Sequence, residues 1–220
     1  SDVAIACHAD ALWAAFNAWF KAQRDLRWSL IMARGVSADA SLARLLSSRK
    51  GQMCVISRPH PPTLWLDCSQ NTAHALRNVS RSHTTNVKRL MRRAREQGPL
   101  SYEVVTEPAR LDAALQAFFE VEGSGWKVAE GSAISLHDEL VAFYRGLSLE
   151  FGPQGRCRIN LLRLNGHVIA AQFGLVSNQQ LNLLKIGYAP AHAALAPGHL
   201  IMQHTIESAC ADPALNRLSF

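Results

Sequence analysis

A helical stripe of Leu111, Leu115, Phe118 and Phe119 reaches its next position, eleven residues after Leu111, at Glu122. That spacing aims a carboxylate into apolar surroundings, where burial favours the protonated form and suits a group that strips a proton from an amine or a hydroxyl. The competing reading ends the helix first and turns Glu122 to water or against the loop from Gly123 to Gly125. Gln172 and Lys185 form a second candidate. If Asn165-Gly166 is a two-residue turn and residues 177–180 are the next, Gln172 faces Ile159 on one side and Lys185 on the other, so both polar side chains share one face of a central sheet. A lysine there suits a carboxylate, a phosphate or an oxyanion, unless it simply reaches past its neighbours to solvent. Pro197 and Gly198 make the third candidate, because a helix start offers free N–H groups and about half a positive charge to a pyrophosphate. An ordinary proline-started helix has the same sequence. Trp126 and Lys127, on a glycine-flanked loop, suit an acceptor with an apolar sugar face, although Trp126 also fits a core position.

The elements that must hold these residues follow from periodicity. Leu12, Phe16, Trp19 and Phe20 keep helical spacing, and Leu42, Leu45 and Leu46 repeat it after a Ser37 cap. Two β-prone runs, 52–57 and 63–69, are separated by Pro59, Pro61 and Pro62. Residues 1–70 thus read as a partial α/β unit and 71–97 as a basic helical connector, with Val87, Leu90, Met91 and Ala94 on its apolar side and Gly98-Pro99 as its stop. Residues 98–220 form the main domain: a strand over 101–105, a helix over 111–122, and a second helix from Ser135 with Leu136, Leu140, Phe143, Leu147 and Phe151 on one stripe. Three antiparallel strands, a helix from Pro197 and a last strand over 215–220 complete it. The strands are apolar on both sides, so helices are expected on both faces of the sheet.

Seven of the 23 lysines and arginines lie between Arg77 and Arg95 with no acid among them, which leaves the rest of the chain nearly balanced against its 17 acids. The basicity is one local feature, a solvated helix face or a surface for an anionic partner such as a nucleotide-linked substrate, tRNA or a membrane surface. With 48% hydrophobic and 18% charged residues in 220, the chain has the material for a core and is not a disordered type. No apolar run approaches the roughly 20 residues of a membrane helix, and the start lacks a secretory profile, so a cytoplasmic protein without a transmembrane segment is expected. The five cysteines show no Cys-x-x-Cys spacing and the nine histidines no His-x-x-x-His pair, so no metal is expected.

Further local patterns point to a family. Glu122-Gly123-Ser124-Gly125-Trp126-Lys127, Gly131-Ser132-Ala133-Ile134 and Phe143-Tyr144-Arg145 precede Asn165-Gly166 with Ile169-Ala170-Ala171. Lys185-Ile186-Gly187-Tyr188 and Ala196-Pro197-Gly198-His199-Leu200 follow, and Lys88-Arg89-Leu90-Met91-Arg92-Arg93 stands before them. Together with the order of elements, these motifs over about residues 77–220 resemble the GNAT acetyltransferase superfamily, in particular the acetyltransferase-like family associated in name with bacterial cellulose and exopolysaccharide biosynthesis. The resemblance implies a GNAT-like α/β (α+β) fold with a mixed, mostly antiparallel central sheet, preceded by a partial second GNAT-like unit, as in the tandem Fem-type transferases that use aminoacyl-tRNA. It implies acetyl-CoA or another acyl-CoA as co-substrate, with its arm in a gap between splayed strands. The matching carrier positions are Ile186, Gly187, Ala196, Gly198, His199 and Leu200. It also implies Tyr188 as the group that protonates the departing thiolate, and a small-molecule, sugar or amine acceptor. The family's phosphate loop, Gln/Arg-x-x-Gly-x-Gly/Ala, is replaced here by residues 192–198 with one glycine. Because the family continues past the strand at Phe220, a sheet edge and part of the site are expected to lie beyond it.

Overall fold

The computed structural model describes residues 2–22, 41–48, 56, 58, 64–125, 130–131 and 133–220. Trp126 and Lys127, the Ser37 cap, the prolines at 59, 61 and 62, and all but Ile56 of the strand expected over 52–57 lie outside the described residues. The chain divides into two compact units, 1–63 and 64–220.

In the first unit, α1 (Asp2–Ala22) bends at His8, and α2 (Ser41–Ser48) buries Leu45. The expected α1 stripe forms but stays open to solvent at Leu12, Phe16 and Trp19, while Phe16 and Phe20 pack ring to ring at 4.4 Å.

The second unit holds one sheet. Its elements are β1 (Trp65–Asp67), α3 (Thr72–Ala75), α4 (Arg81–Glu96), β2 (Leu100–Val105), α5 (Pro108–Glu122), a 3-10 turn (Ile134–Leu136) and α6 (Asp138–Phe151). Then come β3 (Cys157–Leu164), β4 (His167–Ser177), β5 (Gln180–Tyr188), a second 3-10 turn (Pro190–Leu195), α7 (Pro197–Ala211) and β6 (Arg217–Ser219). The strand order is β1-β6-β5-β4-β3-β2, antiparallel except for the parallel pair β5–β6. The Ser80 hydroxyl accepts from the His83 N–H and so starts α4, whose Val87, Leu90, Met91 and Ala94 are buried as the sequence predicts. Both tight hairpins take positive φ at their two central residues, Asn165 and Gly166, then Asn178 and Gln179.

Helices cover both faces. α5 and α6 close over Val105, Ile159, Leu161, Ala171 and Phe173, while α4 and α7 close over Leu162, Leu164, Ile169 and Ala170. No helix among the described residues is long and apolar enough to cross a membrane.

Two expectations are corrected. The helix expected from Ser135 begins at Asp138, after a 3-10 turn; it buries Tyr144 and Ser148 and packs Val141 beside the expected Leu147 and Phe151, leaving Leu136, Leu140 and Phe143 exposed. The cause is a distant contact: the buried Glu122 carboxylate accepts the Ile134 N–H and fixes the turn where a first helical coil was expected.

The strand register is also displaced, by one residue in each of two ladders. β3–β4 shifts between Leu162 and Arg163, with Ile169 as the extra residue, and β4–β5 shifts at Phe173/Gly174, with Leu184 extra. Gln172 therefore faces Asn160 and Ile186, and Lys185 faces Phe173. A one-residue slip exchanges faces, so Gln172 and Lys185 lie on opposite sides of the sheet.

Candidate functional site

The last turn of α5 runs close over β5. A Cβ at Gly187 would stand 2.6 Å from Glu122 Cα and 2.9 Å from its backbone N, so only glycine lets helix and strand approach this far. That approach carries the Glu122 side chain, fully buried, to the Lys185 ammonium at 3.5 Å from Oε1, while Oε2 accepts the Ile134 N–H at 2.9 Å. Lys185 keeps 32% of its side chain exposed, so the pair joins a buried carboxylate to a solvent-facing cation. Burial pushes the nearby Tyr144 hydroxyl's pKa up, and the Glu122 charge pushes it further. Two residues that the sequence offered separately thus form one acid-base pair on the α5 face.

The opposite face of β5 meets the start of α7. Ala196 adopts a left-handed conformation, φ 47° and ψ 60°, and caps the helix without a side-chain hydrogen bond. Pro197 at the first helical position has no N–H, and the His199 and Leu200 N–H groups turn back to the Ala196 carbonyl at 2.9 and 3.3 Å. Gly198 lies beside Ile186, whose Cδ1 would be 3.9 Å from a Cβ at 198. The Leu200 side chain is fully buried and anchors this helix start, and the His199 ring rests 5.4 Å from that of His83 on α4. Tyr188, opposite Ala170, closes β5 with its side chain part exposed.

Gln172 belongs to a buried polar network that the sequence reading missed. The Arg158 guanidinium donates to Ser208 Oγ at 2.6 Å and to Asn160 Oδ1 at 3.2 Å, and stands 3.6 Å from Asp212. Asn160 Nδ2 then donates to Gln172 Oε1 at 3.0 Å, the Thr205 hydroxyl donates to the same oxygen at 2.6 Å, and Tyr102 Oη lies 3.2 Å from Thr205 Oγ1. Because Arg158 can only donate, it fixes the Asn160 amide, which in turn fixes Gln172 with Oε1 towards the network. Gln172 Nε2 is left buried without a protein acceptor. Burial raises the Tyr102 pKa, against the opposing pull of its bonds to Thr205 and Arg158. The signal was present in the sequence: Arg158 and Asn160 alternate in the first half of a strand whose other residues, Arg163 apart, are apolar.

β5 thus separates two environments at consecutive residues. Lys185 pairs with the Glu122 carboxylate on one side. Ile186 meets the start of α7 on the other, where no side chain caps the helix. Among the described residues no cluster of histidine, cysteine, aspartate and glutamate could hold a metal ion.

A family model described as "Acetyltransferase (GNAT) domain" matches residues 81–220. No curated protein matches the chain. Among solved structures, FemX shares the fold with a TM-score of 0.58 and 11% identity, over 96% of this chain and 67% of FemX. The C-terminal domain of a protein described as a lysylphosphatidylglycerol synthetase from Agrobacterium fabrum gives 0.47 at 14% identity, over 72% of this chain and 45% of its own. L-PGS from Bacillus licheniformis gives 0.45 at 10%, with the same coverages of 72% and 45%. The chain therefore spans less than half the length of these last two proteins and about two thirds of FemX.

Proposed function

The chain belongs to the family of GNAT acetyltransferase domains, matched over residues 81–220, and we propose that it moves an acyl group from acetyl-CoA or another acyl-CoA to an amine or hydroxyl acceptor. One observation carries this reading: Lys185 and Ile186, adjacent on β5, bring the Glu122 carboxylate and the uncapped start of α7 to the two faces of one strand. The carrier's diphosphate would be held at Ala196, Gly198 and His199, where the helix start attracts negative charge. Ile186 and Gly187 would border its arm. The acceptor's nitrogen or oxygen attacks the thioester carbonyl, the carbon–sulfur bond breaks, Glu122 takes the acceptor's proton and Tyr188 returns one to the thiolate. Lys185 would favour the developing oxyanion or an acidic group on the acceptor. Trp126 and Lys127 are assigned to the acceptor from their sequence context alone. The direct transfer needs no side-chain nucleophile; holding the two reactants together would contribute several kcal/mol, on the order of what proximity supplies elsewhere.

Isothermal titration of the full-length protein with acetyl-CoA tests the proposal, with Gly198→Ala as the paired variant. A Cβ at 198 meets only Ile186, at ordinary contact distance, so the fold should keep its stability. The added methyl would stand where the anion must approach, and affinity should fall about tenfold, the equivalent of roughly 1.4 kcal/mol. Heat that is undetectable at millimolar carrier, or equal affinity in the two proteins, refutes the assignment. A second reading, aminoacyl transfer from tRNA, draws on the fold shared with FemX and on the basic segment between Arg77 and Arg95. Binding of tRNA with a steep salt dependence, together with no binding of acetyl-CoA, would favour it.

A further inference from the structure

The basic segment does not spread its charge evenly. On α4, Lys88, Arg92 and Arg95 stand at i, i+4 and i+7 and share one stripe, while Arg89 and Arg93 take the other flank. The first stripe lines a groove of about 320 Å³ between α4 and α7, whose far wall carries Gln203, His204 and Glu207. Its floor includes the apolar Val87 and Met91, and Thr84 adds a hydroxyl. Glu207 brings one acid to this lining, and its carboxylate is engaged by Gln203 Nε2 at 2.7 Å and by His204 at 3.5 Å. Arg92 also meets Glu96 at 3.6 Å, but that pair is exposed and weak.

We propose that this groove is a binding site for a phosphate-bearing small molecule, whose phosphoryl oxygens bridge Lys88, Arg92 and Arg95 while its organic part lies over Val87 and Met91. Three cations converge over about 10 Å of helix, the reach of one or two phosphoryl groups. The groove's volume, about 320 Å³, is that of a small-ligand site rather than of a track for a polymer. Thr84, whose hydroxyl donates to the Ser80 carbonyl, and Gln203, whose amide donates to Glu207, add neutral polar groups to the lining. His204, stacked on Tyr102 at 5.1 Å, supplies a spectroscopic reporter at the wall. Burial lowers its pKa, Arg95 lowers it further and Glu207 opposes both, so an arriving dianion should raise it.

The proposal stands independently of acyl transfer, although the two sites share α7: Gln203 lies five residues, about 7.5 Å, along the helix from Gly198. The phosphate could therefore belong to a carrier anchored at Gly198 or to a separate phosphorylated ligand. Titration of the full-length protein with coenzyme A, 3′-dephospho-coenzyme A and inorganic pyrophosphate separates these sources. Pyrophosphate should bind the wild type at low ionic strength, raise the His204 pKa by NMR, and lose about tenfold in affinity in Lys88→Ala/Arg92→Ala. Arg89→Ala/Arg93→Ala removes the same charge from the other flank and should bind as the wild type does. A preference for coenzyme A over its dephospho form that vanishes in Lys88→Ala/Arg92→Ala identifies the carrier's own phosphate; equal binding of the two points to a separate ligand. Equal losses in the two double variants, or no pyrophosphate binding to the wild type, overturn the site.

Discussion

Lys185→Met and Glu122→Gln break the same ion pair, yet they should differ in cost by a few-fold. Two unit charges 3.5 Å apart attract by about 5 kcal/mol at an effective dielectric of 20. Desolvation of the buried partner takes back much of that. The carboxylate is fully buried and the ammonium is 32% exposed, so the two deletions strand different charges. Without the lysine, the carboxylate stays inside and loses one charged contact, while the Ile134 N–H at 2.9 Å remains among its partners. Removing one partner of a buried pair costs about 3–5 kcal/mol, and the part-exposed lysine puts this case near 3. Without the carboxylate, the ammonium can turn to water while the glutamine oxygen still accepts from Ile134, a loss of about 1 kcal/mol. Urea unfolding reads both values readily against a domain stability of roughly 5–15 kcal/mol. The double variant, which removes both charges of this pair, should recover to within about 2 kcal/mol of wild type. If Lys185→Met costs no more than Glu122→Gln, or if the single costs simply add, the pair does not couple as described. In the same proteins Glu122→Gln should lower turnover while carrier affinity stays unchanged; unaltered turnover removes Glu122 as the base.

Gly187→Ala should destabilise by about 1–3 kcal/mol, because its methyl meets Glu122 backbone and the last turn of α5 must lift; an unchanged melting temperature would contradict that close approach. His204 titrates below the ordinary histidine range because it is buried, so the unfolded chain binds the proton more readily than the folded one. Stability should therefore decline as pH falls from about 6.5 towards the lower folded value, and His204→Asn should flatten that slope in urea midpoints taken across the window. Burial pushes the Cys157 thiol to about 11 and the Cys68 thiol to about 12, so a thiolate-selective reagent at mildly alkaline pH should label Cys210 before either, as peptide mapping would show.

What the sequence made readable is what local chemistry decides. Asn165-Gly166 forced a hairpin because two positive φ angles suit few residues, and α4 showed itself by buried residues at four helical positions. The burial of Glu122 followed from spacing on α5. Its partner did not, because nothing in the residue types of Ile169 or Leu184 marks either one as the extra residue of a bulge. The expected Leu147 and Phe151 do pack, but the start of α6 was hidden for a related reason: a 3-10 turn held by a carboxylate twelve residues away leaves no trace in the local pattern. The Arg158, Asn160 and Gln172 network was within reach, since polar residues at alternate positions of a buried strand need partners on one face.

The bulge at Leu184 determines which polar groups can meet. With a continuous register, Lys185 would stand opposite Gln172, on the face where Arg158 already places one nearly buried cation. A second ammonium there would face that charge in a low-dielectric layer, and Glu122 on the other side would lose its contact with Lys185. The extra residue moves Lys185 to the carboxylate and hands the α7 face to the neutral Ile186, which packs beside Gly198 and leaves that helix start free of side-chain charge. The start of α7 and an ion-paired carboxylate are thereby kept on separate faces of a single strand, so neither alters the charge environment of the other.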